Sequence, residues 1–281
     1  MSQPTFGVIT ITPEWAAGKL TTSENIRKLR KHRVELYAEK LKQNMFTLSN
    51  DAICVSPNGT LLNGFHRLQA CLETGISFDA LVGYDVPDES VHAMDQGLKR
   101  TTADFLSLPD GNETGIAAMI KMILAWDMGI LHNTTAVSKN IFTEHVQEFA
   151  EENYEALTDA YRIGRSIYKT IGGNPSAWTS FVYKINLINP MLAEEFISAI
   201  KTGAGLSVGD SRLAVRNWFA RQQIDSRRKR SQISPLNTLH IAVQGWNCFL
   251  KGQKRQSFSL PRKDSKTMAL PELMLPQAMQ A

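Results

Sequence analysis

The segment Leu61-Leu62-Asn63-Gly64-Phe65-His66-Arg67-Leu68-Gln69-Ala70 constrains this chain more than any other. A short apolar strand runs into Asn-Gly, and a helical pattern starts at once, with His66 and Arg67 in its first turn. The first amides of a helix have no intrahelical acceptor, and the helix dipole makes that end positive. Cations added there are unfavourable unless something negative faces them, and strand-glycine-helix turns bring bare amides close to phosphate oxygens. The turn therefore predicts an α/β unit carrying a candidate phosphate site. Gly64 would allow close backbone approach, Arg67 would offer a two-pronged grip, and His66 would donate or shuttle a proton. An ordinary turn with a surface His and Arg fits the same residues, so the surroundings must decide.

Those surroundings are mixed α and β. Phe6 to Thr12 is β-branched and alternating, which suits a strand, and Thr12-Pro13-Glu14-Trp15 resembles a helix start. Thr22 or Ser23 is expected to cap a longer helix that puts Ile26, Leu29, Val34, Tyr37 and Leu41 roughly on one face. Ala52–Ser56 and Thr60–Leu62 read as a hairpin around Pro57-Asn58-Gly59. Phe65–Thr74 reads as a helix stopped by Gly75, and Phe78–Val86 as a further strand. After Pro109-Asp110-Gly111-Asn112 nearly everything is helical in period: Thr114–Met128, Ser138–Glu151, Tyr154–Ile171, Ala177–Leu187, Met191–Thr202, Gly209–Gln223 and Pro235–Leu250. The expected class is α+β, with a small mixed-sheet domain over 1–110, an all-helical domain over 111–252 and a flexible basic tail over 253–281.

Composition narrows the function classes. The net charge of +4 is mild, so any affinity for nucleic acid has to come from local clusters. Cys54, Cys71 and Cys248 are odd in number and form no CxxC pair, which suits buried, reduced thiols. His92, His132, His145 and His240 show no metal spacing, and the expectation is no metal site on histidine. No apolar run approaches the ~18 residues of a membrane span, and Met1-Ser2-Gln3-Pro4 opens no secretory signal. The expected setting is the cytoplasm of a bacterium or phage-infected cell, without a membrane partner.

The residues around the turn resemble the signature of the ParB/sulfiredoxin superfamily, in which a glycine-led turn ending in Arg opens a helix. The resemblance runs from about Ile9 to Leu106 and is strongest to the ParB-like proteins of phages and mobile elements. It takes in Asn25 and Arg27 upstream, and Asp95-Gln96-Gly97-Leu98-Lys99-Arg100-Thr101-Thr102-Ala103-Asp104 downstream, where Thr101 and Asp104 are spaced as a capping box. Sulfiredoxins carry a catalytic cysteine where this chain has Phe65, and partition ParB proteins have Glu-Arg where it has Phe65-His66. The His-Arg form is closer to the phosphoryl-transferring members.

The resemblance implies a nucleoside triphosphate, ATP or CTP, held by Asn25, Arg27, Asn63, Gly64, Phe65, His66, Arg67, Lys99, Arg100 and Thr101. Two function classes follow. One is a nucleotide-binding protein that acts with or on DNA. The other is a kinase or nucleotide hydrolase, with His66, Glu35 and Asp95 as candidate catalytic groups (Glu39 is a further acidic candidate) and Mg2+ supporting the transfer.

Two basic clusters are candidates for nucleic-acid contact. Arg30, Lys31 and Arg33 belong to the run Arg27–Arg33, and Arg227, Arg228, Lys229 and Arg230 form a connector ahead of the last helix. A solvated helix face and a soluble linker are the competing readings. Phe258 in the tail could stack on a base, and the reading allows a homodimer. The five tryptophans fall in apolar helical patterns and are expected in the core.

Overall fold

The computed structural model describes residues 3–22, 29–92, 94, 100–106, 108, 111–229, 233–261, 270 and 272–276, with Thr22 and 225–229 described by backbone alone. The chain divides into two compact units. One is Met1–Lys99 with Ser138–Asn140, and the other is Arg100–Val137 with Ile141–Ala281.

The first unit is α+β. Its strands are β1 (Thr5–Ile11), β2 (Ile53–Val55), β3 (Leu61–Asn63) and β4 (Phe78–Tyr84), in sheet order β1-β4-β2-β3. β1 and β4 pair antiparallel from Thr5↔Tyr84 to Ile11↔Phe78. β4 and β2 are parallel through Ile53↔Val82, and β2 and β3 are antiparallel through Cys54↔Asn63, so the sheet is mixed. The hairpin turn closes through Gly59 N–H to Ser56 O at 2.9 Å, with Gly59 at φ +82°. One sheet face carries Ile11, Ile53, Val55, Leu61, Phe78 and Val82 against helices α1 (Pro13–Thr22), α2 (Lys31–Lys42) and α3 (Phe65–Thr74). The alternation of each strand sets that face, because successive side chains point to opposite sides.

The long helix expected from Thr22 or Ser23 is not continuous. Arg30 is extended at φ −98°, ψ 109° and is the N-cap of α2, so the helix begins at Lys31. The caps of Ser23 and the position of Ile26 lie outside the described residues. Helix α3 keeps its expected bounds, with Gly75 at φ +70° as its left-handed stop.

The second unit is helical: α4 (Glu113–Asp127), α5 (Thr134–Asn140, whose last three residues belong to the first unit), α6 (Thr143–Ile171), α7 (Pro175–Ile188), α8 (Pro190–Thr202), α9 (Ser211–Lys229) and α10 (Pro235–Leu250). Asn174 and Asn189 cap α7 and α8 through their side-chain oxygens, each ahead of a proline at the first helical position. The core is centred on Trp178, Phe181, Phe196, Phe219 and Trp246. Trp218 is buried too, and Trp126 packs against this core as Trp15 does against the first. All three cysteines are buried and unpaired.

Three boundaries differ from the sequence expectation. The units part at Lys99/Arg100 and not at 110, because the 3-10 helix Thr102–Phe105 is tied into the helical unit. There Lys121 Nζ donates to Thr102 Oγ1 at 2.6 Å, Gln147 Nε2 to Phe105 O at 3.1 Å, and Leu106 joins the core. The basic connector is helical through Lys229 as the end of α9. The tail expected to be flexible is docked where it is described. Trp246 Nε1 donates to Met274 O at 3.2 Å, Asn247 Nδ2 to Glu272 O at 2.7 Å, and Met274 N–H returns to Asn247 Oδ1 at 3.0 Å. Phe258, Leu260 and Leu273 pack on the helical core, Phe258 remaining half-buried.

One buried group sets a pH dependence. His240 lies in the α10 core, its Nδ1 has no partner among the described residues, and desolvation holds its imidazole below the ordinary value. Below about pH 6.5 the unfolded chain takes up a proton that the folded chain refuses, so stability falls as pH drops through that range. Urea midpoints should therefore decline on the acid side more steeply for the natural chain than for His240→Leu; parallel curves would reject this origin.

Candidate functional site

The turn between β3 and α3 is built around a buried guanidinium. Gly64, the N-cap of α3, sits at φ +108°, which an L side chain rarely adopts, and a Cβ there would lie 2.9 Å from Ile53 Cγ1. Asn63 locks the turn from above. Its Nδ2 donates to Asp51 Oδ1 at 3.1 Å and to Ala52 O at 3.2 Å, and its Oδ1 accepts the Gly64 N–H at 2.8 Å. The Gly64 amide, expected to face a phosphate, is thus already satisfied within the turn.

Arg67 points the same way. It is buried, with Nη1 donating to Asp51 O, Nη2 donating to Ala52 O at 3.2 Å, and the Asp51 carboxylate 3.6 Å from Nη2. The two-pronged grip expected for phosphate is used on the backbone that enters β2. Phe65 is also buried and belongs to the sheet-helix core, so only its backbone faces the turn. A helix whose third residue carries a charge into the interior needs acceptors there, and the two carbonyls supply them.

His66 faces outward and ties two helices together. Its Nε2 accepts the Arg30 N–H at 3.1 Å, which places the N-terminus of α2 against the N-terminus of α3. Neither helix has an acidic residue in its first turn. Arg30, Lys31 and His32 are exposed and Arg33 is half-buried, so the cluster proposed for nucleic acid borders the proposed phosphate turn. Each helix end adds roughly half a positive charge. The arrangement is one that anions stabilise.

The remaining expected residues are distributed as follows. Glu35, a candidate catalytic group, is paired with Lys139 Nζ at 2.7 Å, and that hydrogen bond holds its carboxyl below the usual range. Glu39 pairs with Lys42 at 2.9 Å. Arg100 and Thr101 belong to the second unit. Thr101 donates its N–H and, at 2.8 Å, its hydroxyl to the Asp104 carboxylate, which lowers the Asp104 pKa, and Arg100 lies over the Phe105 ring at 5.9 Å. Asn25, Arg27, Asp95 and Lys99, and Arg230 of the second cluster, lie outside the described residues. The backbones of Arg227, Arg228 and Lys229 are helical.

Asp51 was not singled out in the sequence, yet its backbone and carboxylate meet both Asn63 and Arg67. The signal available was weak: an acid at the start of a strand whose partner strand leads into an Arg-bearing turn. Among the described residues there is no cluster of three His, Cys, Asp or Glu suited to a metal ion. No described helix is long and apolar enough to cross a membrane.

Fold and site together define a class: an α+β unit whose mixed sheet presents two helix N-termini side by side, followed in the chain by a helical unit. No family profile matches the chain, and neither curated proteins nor solved structures give a match.

Proposed function

We propose that this chain is a ParB/sulfiredoxin-like nucleotide-binding protein of phage or mobile-element type, which takes a nucleoside triphosphate where α2 and α3 begin and acts with DNA. The observation that carries this reading is the Arg30 N–H···His66 Nε2 bond, which holds two helix N-termini together in the company of Arg30, Lys31, His32 and Arg33. Like partial charges are brought together here with no carboxylate in either first turn, and a polyphosphate relieves that repulsion. Within the reading, roles shift from those expected. Arg67 and Asn63 become positioning residues that fix the turn, while α2 supplies the cations that meet phosphate.

ATP and CTP are the leading ligands, with Mg2+ as a companion of the phosphates. A thermal-shift screen of the common nucleotides, with and without Mg2+, tests the reading. Ligand at a hundred times its Kd adds about 2.7 kcal/mol to folded-state stability, which gives a clear rise in melting temperature. A flat response to every nucleotide rejects it.

The phosphotransferase reading has one observation in its favour. The exposed Asp51 carboxylate stands beside the turn, within reach of Asn63 and Arg67. Metal-dependent release or transfer of the γ-phosphate that disappears in Asp51→Asn selects it over the purely binding role.

A further inference from the structure

The second unit carries a cationic groove whose described lining includes no residue of either basic cluster read in the sequence. It lies along the C-terminal part of α6, has a volume of about 630 Å3, and is lined by Asn112, Thr158, Tyr161, Arg162, Arg165 and Lys169 among others, with no carboxylate among the described lining residues. The three cations recur at spacings of three and four, which places them on one helix face. The acidic residues of α6, from Glu144 to Asp159, all precede them.

The helix dipole accounts for Lys169, which sits in the last turn of α6, but Arg162 lies too far from that end to be explained by it. Its exposed pair with Asp159 at 3.2 Å is a weak competitor for a ligand. The groove is also rigid. Gly115 of α4 lets Tyr161 approach so closely that a Cβ would lie 2.3 Å from its Oη, and Gly164 gives α6 the same intimacy with the Thr179 backbone at 2.5 Å. Thr158 is part of the groove wall, with its Oγ1 buried and without a partner among the described residues.

We infer that this groove binds the sugar-phosphate backbone of single-stranded nucleic acid. At 1.5 Å of rise per residue, Arg162 to Lys169 covers roughly 10 Å, long enough to run beside several successive phosphates of one strand. Aromatic rings accompany the charges: Tyr161 lines the groove, and Tyr168, 37% exposed, carries the Arg165 guanidinium at 5.7 Å from its ring centre. Cations that track a backbone beside rings that accept bases are the parts of a single-strand site. The groove shares no described residue with the nucleotide turn, and the inference stands or falls without that turn.

Fluorescence anisotropy of labelled oligothymidylate on the full chain tests this. Three phosphate contacts on a single strand predict a log–log salt slope of about −2, hence about twentyfold weaker binding from about 50 to 200 mM salt. The triple change Arg162→Gln, Arg165→Gln and Lys169→Gln should lose at least about tenfold in affinity and flatten that slope. The pair Lys251→Gln and Lys254→Gln, cations elsewhere in the same unit, should leave both unchanged. Circular dichroism confirms that each variant is folded. Equal affinity in the triple variant, tighter binding to duplex of the same length, or no binding at low salt overturns the assignment.

Discussion

Arg67→Ala should destabilise the first unit by about 3 kcal/mol, because it strips a buried guanidinium from two carbonyl oxygens and leaves both without a donor. The Asp51 and Ala52 carbonyls receive Arg67, and Ala52 O is shared with Asn63, so one truncation loosens the whole entry to β2. Arg67→Lys should recover part of the loss: an ammonium keeps the charge but lacks the flat fork that spans two acceptors. The thiols give a readout for each unit. Cys54 and Cys71 are buried in the first, and Cys248 in the second. Pulsed thiol labelling across a urea series, resolved by mass spectrometry, should show Cys54 and Cys71 reacting at lower urea in Arg67→Ala with Cys248 unmoved. An unchanged Cys54 midpoint would mean that Arg67 is not what holds the turn.

Gly164→Ala should produce the opposite pattern at a similar cost. A methyl at Gly164 would stand 2.5 Å from both Cα and N of Thr179 and 2.8 Å from its Cγ2. Backbone cannot swing aside as a long side chain can, so α6 and α7 must part and the packing of Trp178 and Phe181 behind them loosens. Overpacking of this kind costs about 3 kcal/mol. Labelling of Cys248 should then shift to lower urea while Cys54 and Cys71 keep their midpoints, and a wild-type Cys248 profile would rule the close approach out.

What was readable from the residues follows from how local each signal is. Helix α3 and its Gly75 stop, the four strands, and α10 were legible because periodicity, glycine and proline act within a few residues of where they stand. The long helix through residues 22–41 failed as a single element because Ile26, Leu29 and Val34 keep rough helical spacing across an extended Arg30. Spacing alone carries no information about the backbone between. The helical period of α9 fades where Asp225–Lys229 replaces apolar residues with charge, yet the helix continues, since charged residues hold helical geometry well.

The site was half legible. The glycine-led turn, its positive helix end and the neighbouring basic run were all visible. Which group faces a ligand was not, because it depends on contacts between distant segments. Arg67 is turned inward by carbonyls at 51 and 52, and His66 outward by the amide of Arg30. A cation in the first turn of a helix looks the same in a sequence whether it meets a phosphate or a strand. The groove on α6 escaped notice for a related reason. Its three cations are separated by uncharged residues and become a single surface only on the helix.

The central claim, that a nucleotide sits where α2 and α3 begin, is met most directly by isothermal titration of CTP and ATP with Mg2+ into the natural chain and into Lys31→Gln/Arg33→Gln. These two side chains lie on the first turn of α2, and unlike Arg67 they carry no part of the turn's bonding among the described residues. The account predicts salt-sensitive binding of one nucleotide, and at least about tenfold weaker binding by the variant at an unchanged unfolding midpoint. No heat with either nucleotide, or equal affinity in both proteins, would contradict it.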